Sequence, residues 1–394
     1  MVLTSIFSFS IKYYKLLTIP YNLAKYFNED VGLKSQRMNF YEEDNLSALE
    51  AKFEAQKLAF APLAFQATRV LRDSGILAAI EDSGNDGITL DEIIKKVGLS
   101  TYGVRVLVEA GLGQRLITWK DDKYRITKTG FFILHDTMTR VNLDFTHDVC
   151  YKGAFFLDEA IKNGKPDGLK VFGEWPTVYE ALSKLPKEVQ KSWFAFDHYY
   201  SDMAFPLVLP IVFQDKPKKL LDVGGNTGKW ALSCVNYDHD VHVTIADLPG
   251  QLAMAAVYVK ENGKEDRVSG FPINLLDHTQ QFPKGNDAIW MSQFLDCFSE
   301  EEIISILKRA AEAIDENGSV YIMETYWDRQ KFEAASFSLQ QTSLYFTVIA
   351  NGNSQMYYSK NMIECVHAAG LYVDKDVDYI GVSHTLFRCK KKLK

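Results

Sequence analysis

Between Leu220 and Trp230 the chain reads LLDVGGNTGKW, a short apolar run that carries one aspartate into a cluster of glycines. Glycines so placed let backbone come close to a ligand, and three ligand chemistries compete for such a turn. A phosphate loop needs four residues between its glycines and a hydroxyl after its lysine; here three separate Gly224 from Gly228, and Trp230 follows Lys229. A dinucleotide turn ending at Gly228 needs a glycine where the chain has Val223. What remains is Asp222-x-Gly224-x-Asn226-x-Gly228, with Gly225 inside the turn. The carboxylate would repel pyrophosphate but suits a ligand carrying an ammonium group, such as the methionine end of S-adenosylmethionine. Asp247 then ends the next strand, where an acid accepts hydrogen bonds from ribose hydroxyls. The competing reading is a purely structural turn with a capping aspartate.

The surrounding elements fit that placement. From KPKK (Lys216 to Lys219) onward the segments KKLLDVGG, VHVTIAD, RVSGFPINLL, DAIWMSQ and GSVYIMET alternate with helical stretches such as SEEEIISILKRAAEAI. Alternation of this kind predicts a parallel sheet with crossover helices. LYVDKDVDYI and SHTLFRCKK follow as a terminal antiparallel hairpin. The fold class expected is α/β: a Rossmann-like domain over 216–394, preceded by a helical winged-helix domain over 46–140 and a helical, aromatic-rich linker and substrate-pocket region over 141–215.

In the N-terminal part, residues 45–80 read as two helical stretches, Thr89 and Glu92 fit a capping box, and Ser100 to Gly113 give another helix. Two short strands then flank the polar turn Asp121, Asp122, Lys123. Winged helices often read DNA, but the second helix here carries a single Arg105 offset by Glu109 among valines and leucines. A reading helix presents several polar or basic groups to the groove, so this one is expected to pack against protein and dimerise.

The net charge of −7 also argues against a nucleic-acid partner. The 394 residues, 47% hydrophobic and 24% charged, are enough for two folded domains. The five cysteines, Cys150, Cys234, Cys297, Cys365 and Cys389, are scattered and lack metal-ligand spacing, which suggests a reducing cytoplasm. His239 and His242 read as surface residues, and no metal site is expected. Residues 1–45 form an apolar, aromatic arm; Lys12 and Lys15 interrupt it before it reaches the roughly 18 residues of a membrane span. It is expected to pack on a partner subunit, with loose membrane association as the lesser alternative.

Together with GNDAIWMSQFLDCFSEEE and GSVYIMET, the glycine turn resembles that of the small-molecule O-methyltransferases related to plant caffeate O-methyltransferase and to bacterial antibiotic and pigment methyltransferases. The likeness covers about residues 50–390. It implies a homodimer formed through the winged-helix domain and S-adenosyl-L-methionine as methyl donor. It places Gly224 and Asp247 at the donor, Leu248 near adenine, Asn274 and Leu275 where the family has an Asp-Met pair, and Ser292 in place of a lysine. The segment FDHYYSDMA resembles the helix that caps donor and substrate, putting Tyr200, with Phe196, at the substrate; Tyr345 and Phe298 are the other expected substrate contacts.

The departure lies at the base. Ungapped alignment sets Asp296, Cys297 and Phe298 on the family's His-Asp-Trp, and Glu324 on one of the two glutamates that orient the histidine; the other falls near Gln355 or Met356. Asp296 is the candidate base, with His198 or Tyr200 as helpers; equally, it reads as an acid placed ahead of a helix start. Aligning donor and acceptor supplies about 7 to 11 kcal/mol. A general base adds about 3 to 5, so chemistry survives loss of the histidine. The function expected is methyl transfer to an aromatic or polyketide-like small molecule at a hydroxyl oxygen. The alternatives are C-methylation of an electron-rich ring and a non-catalytic binding or regulatory protein that keeps the fold.

Overall fold

The computed structural model describes residues 40–201 and 203–392. The arm expected over 1–45 therefore lies almost wholly outside the described residues. The first described helices, Ala48–Ala59, Ala61–Asp73 and Ile76–Glu81, number three where the sequence suggested two, because Pro62 and Gly75 each restart the chain. The capping box forms: Thr89 Oγ1 accepts from the Glu92 amide, and the Glu92 carboxylate accepts from the Thr89 amide. The helix Thr101–Gly113 is capped by Ser100.

Strands β1 (Ile117–Lys120) and β2 (Lys123–Ile126) pair antiparallel around Asp121 and Asp122, whose φ values of 53° and 59° give the tight hairpin turn that aspartate tolerates. Leu71, Ile76, Leu77, Ile80, Ile93, Val104 and Val108 close a core beneath this wing. The helix Ala48–Ala59 buries none of its residues, and Leu49, Leu58, Phe60 and Leu63 are exposed. Exposed apolar surface of this kind is what marks protein–protein contacts.

The second half is a seven-stranded sheet. In chain order its strands are β3 (Lys219–Val223), β4 (His242–Asp247), β5 (Val268–Pro272), β6 (Asn286–Ser292), β7 (Ile314–Glu324), β8 (Leu371–Ile380) and β9 (His384–Lys391). Spatially the order is β5-β4-β3-β6-β7-β9-β8; β3 to β7 run parallel, and β9 and β8 add the antiparallel hairpin read from the sequence. Residues alternate between two cores as the pleat demands: Leu221, Val223, Ile289 and Met291 pack on one face, Leu220, Ala288 and Trp290 on the other. Trp230 stacks on Trp290 with ring centroids 4.0 Å apart. The strand order reverses at β3, between β4 and β6, and in such sheets ligands bind where the carboxyl ends of the strands open at that point.

A third apolar core lies above the sheet. It joins Phe145, Val149, Val178 and Leu185, from the region read as linker, to Leu339, Tyr345, Phe346 and Met356, from the segment between β7 and β8. The helix Glu333–Tyr345 in that segment was not anticipated from the sequence. These two stretches form a roof over the open end of the sheet.

Candidate functional site

The turn after β3 is built as a cradle. Gly224 has φ 71°, and a Cβ there would lie 2.2 Å from the Phe294 ring; a Cβ on Gly225 would lie 2.5 Å from Asp222 Oδ2. Only glycine lets the turn pass between those two groups. Gly228, at φ 80°, caps the helix Lys229–Tyr237, whose amino end faces the turn. Asp247, ending β4, accepts from the amides of Asn226 (2.9 Å) and Leu248 (2.7 Å), so the two strand ends are tied together.

Two adjoining cavities open here. The smaller, about 90 Å³, is lined by Asp222, Gly224, Gly225, Asn226, Thr227, Lys229, Ser292 and His198 among others. The larger, about 410 Å³, has one end formed by Asp247, Leu248, Asn274 and Leu275. Its other end is walled by Phe145, Tyr179, Trp193, Phe196, Phe298 and Tyr345, with Asp296 among them. Asp197, Gly224, Asn226 and Gln293 line both cavities. Asp197 and Gln293 were not among the sequence candidates, whereas Asn226 stands in the glycine-turn motif. In the structure Asn226 and Gln293 are each non-glycine residues held at positive φ, 50° and 46°, where the backbone is directed by its surroundings.

The polar atoms are unusually open-handed. Asp222 Oδ2, Asn226 Oδ1, Gln251 Oε1 and Gln293 Oε1 are all buried without a hydrogen-bond partner among the described residues. Buried acceptors are normally satisfied, so four around one cavity system mark the place of a ligand rich in N–H and O–H donors. Asp222 is 2% exposed; burial, and then the charge of Asp247, push its carboxyl up to about 8. A cationic ligand group beside it would restore its ionised form. An amino-acid-bearing nucleoside fits: acceptors for its ammonium and hydroxyl groups are present, and Lys229 and a helix amino end face its carboxylate.

Asp296 sits in the short turn Leu295–Cys297 and is 6% exposed. It makes no hydrogen bond to the following helix, Glu300–Ala313, whose cap is Ser299. Any service of Asp296 to that helix start would therefore act through its charge and the helix dipole rather than through a contact. Burial, and then the nearby Asp197 charge, raise the Asp296 carboxyl to about 7, while the Cys297 thiol opposes the rise. Burial holds the Cys297 thiol itself protonated, well above the ordinary range.

Glu324, at the end of β7 and 1% exposed, lines neither cavity. One of its oxygens, Oε1, accepts from the amides of Phe294 and Leu295, both at 2.9 Å. It thus fixes the backbone that carries Asp296, and burial and then the Asp296 charge push its own carboxyl well up. Its part is to position rather than to touch a ligand.

Other candidates divide. Phe196 stacks on Phe145 at 4.0 Å, and Tyr345 accepts a 2.7 Å hydrogen bond from Trp193 Nε1, so both belong to the aromatic wall. His198 lines the small cavity, as Asp222 does, and not the aromatic end with Asp296. Ser292 likewise lines only the small cavity. Tyr200 departs from expectation: it lines neither cavity, and its hydroxyl donates to Asn142 Oδ1 at 2.9 Å. On the helix Lys187–Ser201, Phe196 and Tyr200 are four residues apart and share a face, but Tyr200 lies one turn farther along, where it bonds Asn142 of the helix Thr137–Phe145. Burial raises its hydroxyl to about 12, which removes it as a helper base. Among the described residues no cluster of three or more His, Cys, Asp or Glu could hold a metal ion, and no helix is long and apolar enough to cross a membrane.

Comparison with known proteins agrees with this geometry. Residues 52–124 match the Dimerisation2-like domain, and residues 155–371 match the O-methyltransferase domain. The chain is 22% identical over 317 residues to an L-tyrosine C(3)-methyltransferase of Streptomyces lavendulae, covering 79% of this chain and 85% of the relative. It is 22% identical over 289 residues to a bacteriochlorophyllide d C-20 methyltransferase of Chlorobaculum tepidum, covering 70% and 80%. In fold it is similar to the S-adenosylmethionine-dependent methyltransferase SibL (TM-score 0.66, 21% identity, 86% of this chain and 99% of the other). It is also similar to NcsB1 from neocarzinostatin biosynthesis, solved with S-adenosylmethionine and 2-hydroxy-5-methyl naphthoic acid (TM-score 0.63, 18% identity, 89% and 100%).

Proposed function

The chain belongs to the O-methyltransferase domain family, and on that premise we propose that it methylates a hydroxyl-bearing aromatic small molecule with Asp296 as general base. The methyl donor is S-adenosyl-L-methionine, which when bound supplies an electrophilic methyl carbon on a sulfonium. Asp222 takes its ammonium, Lys229 and the helix Lys229–Tyr237 its carboxylate, and Asp247 its ribose hydroxyls. Leu248, Asn274 and Leu275 flank its base. Asp197, Gly224, Asn226 and Gln293 stand where the two cavities join.

The observation that carries the reading is a buried carboxylate, raised to about 7, facing an aromatic cavity that adjoins the donor turn. An ordinary carboxylate, near 4, is a poor acceptor for a phenol proton; burial brings Asp296 roughly three units closer to the phenol's pKa of about 10. Glu324 holds the Asp296 backbone in place, and the stacked Phe145 and Phe196 orient a flat ring.

A second reading, methylation at ring carbon, is favoured by the two relatives that span most of the chain, both named as C-methyltransferases. It uses the same base, because removing the hydroxyl proton loads electron density onto ring carbons. Incubation with labelled donor and a series of phenols, followed by mass spectrometry of the product, decides: a new methyl ether supports the first reading, a new ring methyl the second. Absence of transfer by protein that binds the donor leaves a non-catalytic binding protein. The apolar surface of the helix Ala48–Ala59 and the match to a dimerisation domain support a homodimer formed through the N-terminal domain.

A further inference from the structure

The charge around the larger cavity is one-sided. Among the described residues lining it, Glu180, Asp197, Asp247, Asp296 and Glu302 are carboxylic acids, and none is a lysine, arginine or histidine. Asp247 is committed to the amides of Asn226 and Leu248 at the nucleoside end, and Glu302 closes the helix cap with Ser299. Asp197 and Asp296 act on each other closely enough for the first to raise the second. Glu180 lines the same space from an exposed position.

Hydrogen-bond polarity points the same way independently. Asp296, nine-tenths buried, accepts from the weak thiol donor of Cys297, at 3.5 Å, and among the described residues no other side chain bonds it. Gln293 Oε1, where the cavities meet, is buried with no partner among the described residues. Both are acceptors facing ligand space. A substrate carboxylate would add a further negative charge to a water-poor site and meet no cation there. A substrate ammonium would meet carboxylates and the aromatic side chains of Trp193 and Phe196, and aromatic rings attract cations.

We propose that the methyl acceptor is a cationic phenolic amine, its ammonium held beside Asp197 against the aromatic wall and its hydroxyl presented to Asp296. This rests on the methyltransferase reading above and adds to it the sign of the substrate's charge. Phenolic amines are admitted, and phenols carrying a carboxylate are turned away.

The test uses the full chain and three ligands with one ring: tyramine, its alcohol analogue and its propionic-acid analogue. Binding is measured by calorimetry in the presence of the demethylated donor product, and transfer by labelled donor. Tyramine is expected to bind at least about tenfold more tightly than the alcohol, and the acid more weakly than either. Asp197→Asn should shrink the amine advantage by raising KM more than it lowers kcat. Glu180→Gln, at an exposed position where folding is safe, should shrink it by a smaller factor. An acid that binds as well as the amine, or an amine preference untouched by both variants, overturns the proposal. An amine preference in binding with no transfer to any ring upholds the charge assignment and overturns the transfer reading. Transfer with no amine preference does the reverse.

Discussion

The donor end and the acceptor end of the site share four residues yet are built on opposite plans. The donor end is made of strand ends and one tight turn, with Asp222, Gly224, Gly225, Asn226 and Gly228 inside a single stretch and Asp247 at the tip of the adjacent strand. Buried acceptors there have no partner among the described residues, and on the proposed reading they are what selects the ligand. The acceptor end is made of side chains from helices and turns far apart in the chain, packed as an aromatic wall around one carboxylate. A ligand common to many enzymes can be held by backbone geometry, which changes slowly; the variable ligand is held by side chains, which can be exchanged singly.

That contrast can be broken most sharply at Asp222. Replacing it by alanine removes the buried counter-charge of the donor ammonium and is expected to weaken donor binding about 10²- to 10³-fold, read by calorimetry. An effect under about threefold would mean that the turn holds its ligand by shape alone. On the acceptor side, Asp296→Asn is expected to lower kcat about 10²-fold or more while leaving the donor dissociation constant nearly unchanged. The rate of the unmodified protein should climb with pH through about 7 and then level, as Asp296 ionises; Asp296→Asn should lose that limb.

Glu324 lies between the two plans, since it touches no ligand and steadies one catalytic group. Glu324→Ala strips two buried amides of their acceptor and is expected to cost about 2 kcal/mol or more of stability in denaturant unfolding, with a roughly tenfold loss of rate. Glu324→Gln keeps an acceptor oxygen and should recover most of both.

A pH effect on folding follows from the same carboxyls. Asp222 and Asp296 titrate higher when folded, at about 8 and about 7, than at their ordinary 3.8. Their contribution to stability is therefore complete at low pH and is lost as pH rises through those values. Thermal melts without donor should fall between pH 5 and pH 9, and Asp222→Asn should flatten the slope. The smallest effect is expected at Tyr200: Tyr200→Phe should change kcat/KM by less than about twofold and stability by about 1 kcal/mol, the worth of its bond to Asn142.

The same division explains what the sequence made legible. Alternating strands, glycine spacing and an acid at each strand end are local patterns, so the Rossmann-like sheet, its terminal hairpin and the residues of the donor end could be read directly. Asp197 and Gln293 could not, because nothing local distinguishes a residue at the junction of two cavities from its neighbours. Tyr200 was placed at the substrate by resemblance to the family's capping helix, and a resemblance of position does not say that the side chain found there turns to the cavity rather than to Asn142. The helix Glu333–Tyr345 was missed altogether, being a stretch of Ser, Gln, Leu and aromatic residues with almost no apolar stripe.

That helix also constrains how the molecule is made. The lower portion of the roof, up to the helix Lys187–Ser201, is translated before any strand of the large sheet, whereas its upper portion emerges only after β7. During synthesis Phe145, Val178 and Leu185 must therefore wait for partners that have not yet been polymerised. The acceptor end can therefore close only after β7 has been made, and amides in Lys187–Ser201 should gain protection from hydrogen exchange later than their early place in the chain suggests.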